Sequence, residues 1–171
     1  MKTTMKLFGI ALTSLLSPFT HASEGEKVDL PAPVVSGTNQ DGKTIQFAEV
    51  YAKGPTVVFF FPKAGTPGCT KQACSLRDAF EDLTKEGVQV LGVSVDKVQA
   101  QKKFSTNQRL PFDLIADPDG KILDAFKVSR IPILGWASRQ CFLIRNGKIV
   151  WHDAEASTTQ QADDIRRVLK Q

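Results

Sequence analysis

The chain has 171 residues, 42% of them hydrophobic, a content that suits one soluble domain with its own core and excludes a mainly disordered chain. The formal charge is +4, and with Lys2 and Lys6 set aside in a leader, 20 basic residues face 18 acidic ones, a balance of +2. So weak a balance gives no ground for a nucleic-acid partner.

Residues 1–22 read as a secretory signal: Lys2 and Lys6 form a basic start, Leu7 to Leu16 an apolar run, and Thr20-His21-Ala22 a small-x-small cleavage site. The expectation is cleavage after Ala22, a single domain over 23–171, and a periplasmic or secreted product. The run is too short for a bilayer span, and Ser14, Ser17 and Pro18 interrupt its end, so no membrane contact is expected after removal. In an oxidising compartment, three cysteines commonly mean one disulfide and one leftover thiol.

Past a polar lead-in from Ser23 to Lys27, short β-rich runs alternate with helical stretches, without repeats or a low-complexity linker. Val34-Val35 and Thr44 to Phe47 flank Asp41-Gly42, a hairpin signal, and Pro55 and Pro62 bracket the apolar run Val57 to Phe61, expected as a central strand buried on both faces. Thr66 to Lys85 reads as a helix ending at Gly87, Val88 to Val95 as a second buried strand, and Lys97 to Gln108 as a second helix. Phe112 to Ala116 reads as a short strand and Gly120 to Lys127 as a helix. Arg139 to Ile144 and Ile149 to His152 pair across Asn146-Gly147, and Ala162 to Leu169 closes the chain as a helix. The sum is an α/β domain: a central mixed sheet flanked by helices on both faces, compatible with a thioredoxin-like fold.

The chemistry concentrates in Pro62-Lys63-Ala64-Gly65-Thr66-Pro67-Gly68-Cys69-Thr70-Lys71-Gln72-Ala73-Cys74, where a buried strand passes into a helix. Thr66 suits an N-cap and Pro67 the first helical position, so Gly68 and Cys69 fall in the first turn, where backbone N–H groups are unpaired. A thiol there meets the positive end of a helix, an arrangement that favours a thiolate. Helix phase separates the two cysteines. Cys69, Ala73, Leu76, Phe80 and Leu83 form an inward stripe, whereas Cys74 falls with Lys71, Asp78, Glu81 and Lys85 on a polar one. A plain core cysteine is the alternative for Cys69, and the loop chemistry before it argues against that.

The pattern P-x-x-x-T-x-x-C, carried by Pro62, Thr66 and Cys69, resembles the active-site signature of peroxiredoxins. The second cysteine within TPGCTKQAC, followed by Ser75-Leu76-Arg77-Asp78, resembles the Q-type branch, also called bacterioferritin comigratory proteins, over roughly Leu30 to Leu169. The resemblance implies a thioredoxin-like fold, a peroxidatic Cys69, a resolving Cys74 that closes a disulfide with it, and a peroxide substrate. It also implies recycling by a thioredoxin-like reductant, a monomer, and no cofactor or metal. Family members use an arginine before an F-L-I strand, and Arg139-Gln140-Cys141-Phe142-Leu143-Ile144 supplies Arg139. In this reading Arg139 and the helix-start N–H groups hold the peroxide oxygens, Thr66 bridges peroxide and sulfur, and Pro62 shields the sulfenic acid.

Other residues take plainer roles. Cys141 shares a strand face with Arg139 and Leu143 and is expected as a small buried hydrophobe. Arg77 is expected on the helix surface, Ile131-Pro132 in a surface turn, and His152 at a surface strand end, while Arg130 is a rival to Arg139 for the anion. A disulfide reductase of the same fold would carry C-x-x-C, and a copper-delivery module a closer cysteine pair with a histidine. The spacing C-x-x-x-x-C fits neither.

Overall fold

The computed structural model describes residues 25–171, and the expected leader lies outside them. Strand β4 (Thr56–Phe60) sits inside the sheet with every residue buried. Its period-two alternation sends Val57 and Phe59 into one core and Val58 and Phe60 into the other. It pairs in parallel with β5 (Gln89–Ser94), which pairs in parallel with β6 (Asp113–Ala116), and it pairs antiparallel with β7 (Gln140–Arg145). Antiparallel strands finish both sides: β8 (Lys148–Asp153) and β1 (Glu26–Pro31) beyond β7, β2 (Ser36–Asn39) and β3 (Thr44–Gln46) beyond β6. Among the described residues the order is β1-β8-β7-β4-β5-β6-β2-β3.

Helices cover both faces, as the alternating pattern implies. On one lie α2 (Pro67–Asp78), α3 (Phe80–Lys85), α4 (Val98–Gln108) and α6 (Gln161–Leu169), which contribute Cys69, Ala73, Leu76, Leu83, Phe104 and Ile165 to a core shared with Phe59, Phe61 and Leu143. On the other lie α1 (Phe47–Tyr51) and α5 (Lys121–Ala125). Each fully buried Phe or Leu side chain stabilises the fold by about 1.5–3 kcal/mol, so these two layers supply the main driving force. Among the described residues no helix is long and apolar enough to cross a membrane.

Several boundaries move for physical reasons. The polar lead-in is partly an edge strand, since Glu26 to Pro31 can pair with β8 while five of its six side chains stay exposed. The hairpin begins at Ser36, with Val34 and Val35 outside it. Its turn is tied by Asn39, whose Oδ1 accepts from the N–H groups of Asp41 and Lys43 at 3.0 and 2.9 Å. Phe47 opens α1 rather than ending a strand. The long helix expected from Thr66 to Lys85 breaks at Ala79, which ends α2 and leads into α3. The break shifts the helical phase, so Ala79 is buried and Phe80 only partly so, whereas Leu83 regains the core.

Candidate active site

β4 and β5 end at the same edge of the sheet, and the segment after β4 is fastened there by Asp96, two residues past β5. Asp96 Oδ2 accepts from the Ala64 N–H at 2.8 Å and from Ser94 Oγ at 2.9 Å, while Lys63 Nζ lies 2.7 Å from Oδ1. Gln101 Nε2 on α4 donates to Ser94 Oγ at 2.9 Å and to the Ile115 carbonyl at 3.0 Å, which continues the network into β6. A buried carboxylate persists only when so many donors meet it, so the loop carrying Pro62 to Thr66 is fixed against the sheet. Gly65, at φ 78°, lets the chain reverse within this loop, and the Thr66 N–H donates to the Lys63 carbonyl at 3.4 Å.

Thr66 takes the extended N-cap conformation and Pro67 starts α2. The first intrahelical bond runs from the Thr70 N–H to the Thr66 carbonyl at 2.8 Å, so the N–H groups of Gly68 and Cys69 precede the ladder. The Thr66 side chain does not cap them. Its hydroxyl donates to the Lys63 carbonyl at 3.0 Å, which commits the proton and leaves Oγ1 as an acceptor. Cys69 is 1% exposed, at the top of the inward stripe of α2.

Arg139 comes to this sulfur from 70 residues away. The β4–β7 register sets Phe60 against Gln140, so Arg139, just before β7, stands where the active-site segment leaves β4. Its Nη2 donates to Cys69 Sγ at 3.6 Å and its Nη1 donates to Gln72 Oε1. Gln72, fully buried one turn below Cys69, in turn donates to Gln161 Oε1 on α6 at 2.6 Å. The guanidinium is therefore held by a buried amide pair that the sequence reading missed. Its signal was a Gln on the apolar side of the helix, between Cys69 and Leu76. Gly68 has a steric reason too, because a Cβ there would stand 3.3 Å from Arg139 Nη2 and 3.6 Å from Thr158 Cγ2.

The structure separates the remaining candidates. Cys74 is not on an open surface: it is half-buried, and its Sγ donates to Gln108 Oε1 at 3.7 Å. Pro62 is half-buried at the start of the loop. Arg130 Nη2 donates to Asp124 Oδ1 at 2.6 Å and to the Gly120 carbonyl at 3.2 Å, so the rival arginine is engaged elsewhere. Ile131-Pro132 lies in an exposed turn, as expected, closed by the Ile131 N–H to the Trp136 carbonyl at 2.7 Å. His152 is more enclosed than expected: it stacks on Phe142 at 4.3 Å and its Nε2 bonds Gln140 Oε1 at 2.9 Å. Burial lowers its pKa from the ordinary value, a shift that nearby Glu26 and Asp153 oppose. Cys141 is fully buried, and burial pushes its thiol well above the ordinary range. All three cysteines are free.

The result is a buried free thiol at a helix start with a guanidinium beside it and a hydroxyl oxygen nearby in the chain. A family model, AhpC/TSA, matches residues 28–152. The chain belongs to the AhpC/TSA family. Its place is in the Q-type, or bacterioferritin comigratory, branch. A chloroplastic peroxiredoxin Q of Populus jackii is 46% identical over 84 residues, 49% of this chain and 39% of the relative. Peroxiredoxin Bcp of Escherichia coli (strain K12) is 41% identical over 97 residues, 57% of this chain and 62% of the relative. The matched parts of these curated relatives thus amount to less than two thirds of their own length. The crystal structure of peroxidoxin BcpB from Mycobacterium tuberculosis superposes with a TM-score of 0.78 at 29% identity, covering 84% of this chain and 96% of that one. The thioredoxin-type fold expected for the family is therefore present.

Proposed function

We propose that the protein is a thiol-dependent peroxidase in which Cys69 attacks a hydroperoxide and Cys74 resolves the product. The observation that carries this is the Arg139 guanidinium 3.6 Å from Cys69 Sγ at the start of α2. In the first step the Cys69 thiolate bonds to one peroxide oxygen, the O–O bond breaks, and the departing alkoxide or hydroxide takes up a proton. Cys69 becomes a sulfenic acid. Cys74 then attacks that sulfur as a thiolate, the S–S bond forms, and hydroxide leaves to become water. A dithiol reductant of the thioredoxin type returns both cysteines to thiols while itself becoming a disulfide.

Magnitudes assign the weight. An ordinary thiol with a pKa of about 8.5 is ~3% ionised at pH 7, so full ionisation gains about thirtyfold, or ~2 kcal/mol, against the ~8 kcal/mol that even a modest enzyme supplies. Most of the acceleration must come from contacts made as charge moves onto the leaving oxygen. Arg139 and the N–H groups of Gly68 and Cys69 are the donors for that charge. Thr66 Oγ1, whose O–H donates to the Lys63 backbone carbonyl, accepts from the peroxide O–H and sets the line of attack. Pro62 roofs the sulfenic acid.

Resolution requires movement. In the intact α2 the two cysteines, five positions apart, have Cα atoms roughly 8.6 Å from one another by ideal helix geometry, beyond the ~7 Å that a disulfide tolerates. At least one turn must unwind. The setting is the periplasm or outside the cell, a reading supported by the basic start and apolar run of residues 1–22; the resemblance to the Q-type branch supports a monomer. The decisive experiment is peroxide consumption by the protein with dithiothreitol, beside Cys69→Ser and Cys74→Ser. Cys69→Ser should consume nothing, and Cys74→Ser, without reductant, about one equivalent with a trapped sulfenic acid. Equal loss in both single-turnover assays would defeat the proposal.

A further inference from the structure

The two ends of α2 are held by different partners. At its start, Arg139 binds Cys69 and Gln72. At its end, Arg77 spans to α4: Nη1 donates to the Gln108 carbonyl at 2.9 Å, while Nε and Nη2 both reach Asp78 Oδ1 at 2.8 Å. That carbonyl belongs to the last residue of α4, where four C=O groups lack intrahelical partners. Arg109 in the left-handed conformation and Leu110 turn back to satisfy Thr106 and Ser105, and of the two carbonyls that remain, Asn107 and Gln108, Arg77 takes Gln108. Gln108 is also the residue whose side chain receives the Cys74 S–H at 3.7 Å. One residue of α4 thus secures both the thiol and the turn that carries it.

We infer that Arg77 and Gln108 form a latch that times disulfide closure: they are positioning residues that hold Cys74 away from the Cys69 sulfenic acid until α2 unwinds. This rests on the reading of Cys74 as the resolving thiol. Closure needs the opened helix, so its rate is the opening equilibrium multiplied by the rate of attack in the open state, and each latch contact lowers the first factor. While the latch holds, the sulfenic acid stays exposed to a second hydroperoxide. That molecule transfers one oxygen to the sulfur, giving a sulfinic acid and an alcohol or water, which stops the cycle. Latch strength therefore sets how much peroxide the enzyme survives. Neither side chain touches Cys69, so the first step should not depend on them. The break at Ala79 limits the event, because α3 and its core residue Leu83 begin a separate helical segment.

The test measures two rates and one product. Cys69 oxidation is followed by rapid-mix peroxide loss, disulfide closure by quenched alkylation, and sulfinic acid by intact mass at a fixed excess of hydrogen peroxide. Arg77→Met should leave the first rate unchanged and speed closure about fivefold, the effect of one partly exposed charge-assisted hydrogen bond. Gln108→Ala, which keeps the carbonyl but loses the bond to Cys74, should speed closure about twofold. Arg77→Lys should fall between wild type and Arg77→Met, since lysine can reach the carbonyl without the fork to Asp78. The sulfinic fraction should fall in the same order. Closure at or below the wild-type rate in both Arg77→Met and Gln108→Ala would overturn the latch. If wild-type protein formed no Cys69–Cys74 disulfide, the functional reading would fail instead.

Discussion

Cys69 and Cys141 are equally hidden, at 1% and 0% exposure, and line the same core on the same face of the sheet. Their surroundings are opposite. Cys141 sits within β7 with its backbone committed to the ladder, and its burial favours the protonated thiol. Cys69 sits ahead of the helical ladder with Arg139 on its sulfur. Burial alone thus does not distinguish the two thiols, and their neighbours do. What decides is whether donors and a cation face the sulfur once water has been removed.

The widest test of this contrast is substitution of each sulfur. Cys69→Ser should lower peroxide consumption by at least about 1000-fold, whereas Cys141→Ala should stay within about twofold of wild type in the same assay. A large loss at Cys141 would show that the two sites share one function. Next in size is Arg139→Met, expected to slow Cys69 oxidation about 100-fold by removing a transition-state donor. Repeating the measurement at a pH high enough to ionise the thiol outright isolates that term, and full recovery there would reduce Arg139 to a tuner of ionisation. Gly68→Ala is a finer probe. Its Cβ, 3.3 Å from Arg139 Nη2, should displace the guanidinium by a few tenths of an ångström and cost about fivefold in the same rate, with little change in melting temperature.

The smallest effect belongs to Cys141 itself. Because burial raises the native pKa, the folded protein keeps this proton while the unfolded chain releases it near the ordinary thiol value of about 8.5. Above that pH the unfolded state binds fewer protons, so this group makes stability fall as pH rises, by up to ~1.4 kcal/mol per pH unit, and contributes no slope below it. Denaturant titrations between pH 7 and 10 should show a steeper alkaline loss in wild type than in Cys141→Ala. Parallel curves would mean that the site hydrates before the protein unfolds.

Much of this protein is legible in its sequence because the signals are local. The continuous apolar run from Val57 to Phe61, bracketed by Pro55 and Pro62, reads as a strand covered on both sides, and Thr66, Pro67 and Cys69 mark a helix start whose first turn holds a thiol. The phase of Cys69, Ala73 and Leu76 held because helical periodicity acts over a few residues, and it slipped at Ala79 because nothing nearby announces that break. Edge strand β1 was harder to read because its alternation is only two apolar residues long, Val28 and Leu30, in a segment whose side chains are mostly exposed.

What tertiary structure decided is every contact made across long stretches of chain. Sequence alone left two arginines in competition. The β4–β7 register settled their positions by placing Arg139 at the end of β4, while Arg130 fell to Asp124 on α5. The same holds for Asp96 under the active-site loop, Gln161 behind Gln72, and Gln108 over Cys74, partners 32 to 89 positions from the groups they hold. Periodicity and capping record what a residue does within its own turn. Which distant donor meets a buried acceptor depends on how two sheet neighbours and two packed helices are brought into register, and a buried polar group favours an arrangement that brings it a partner.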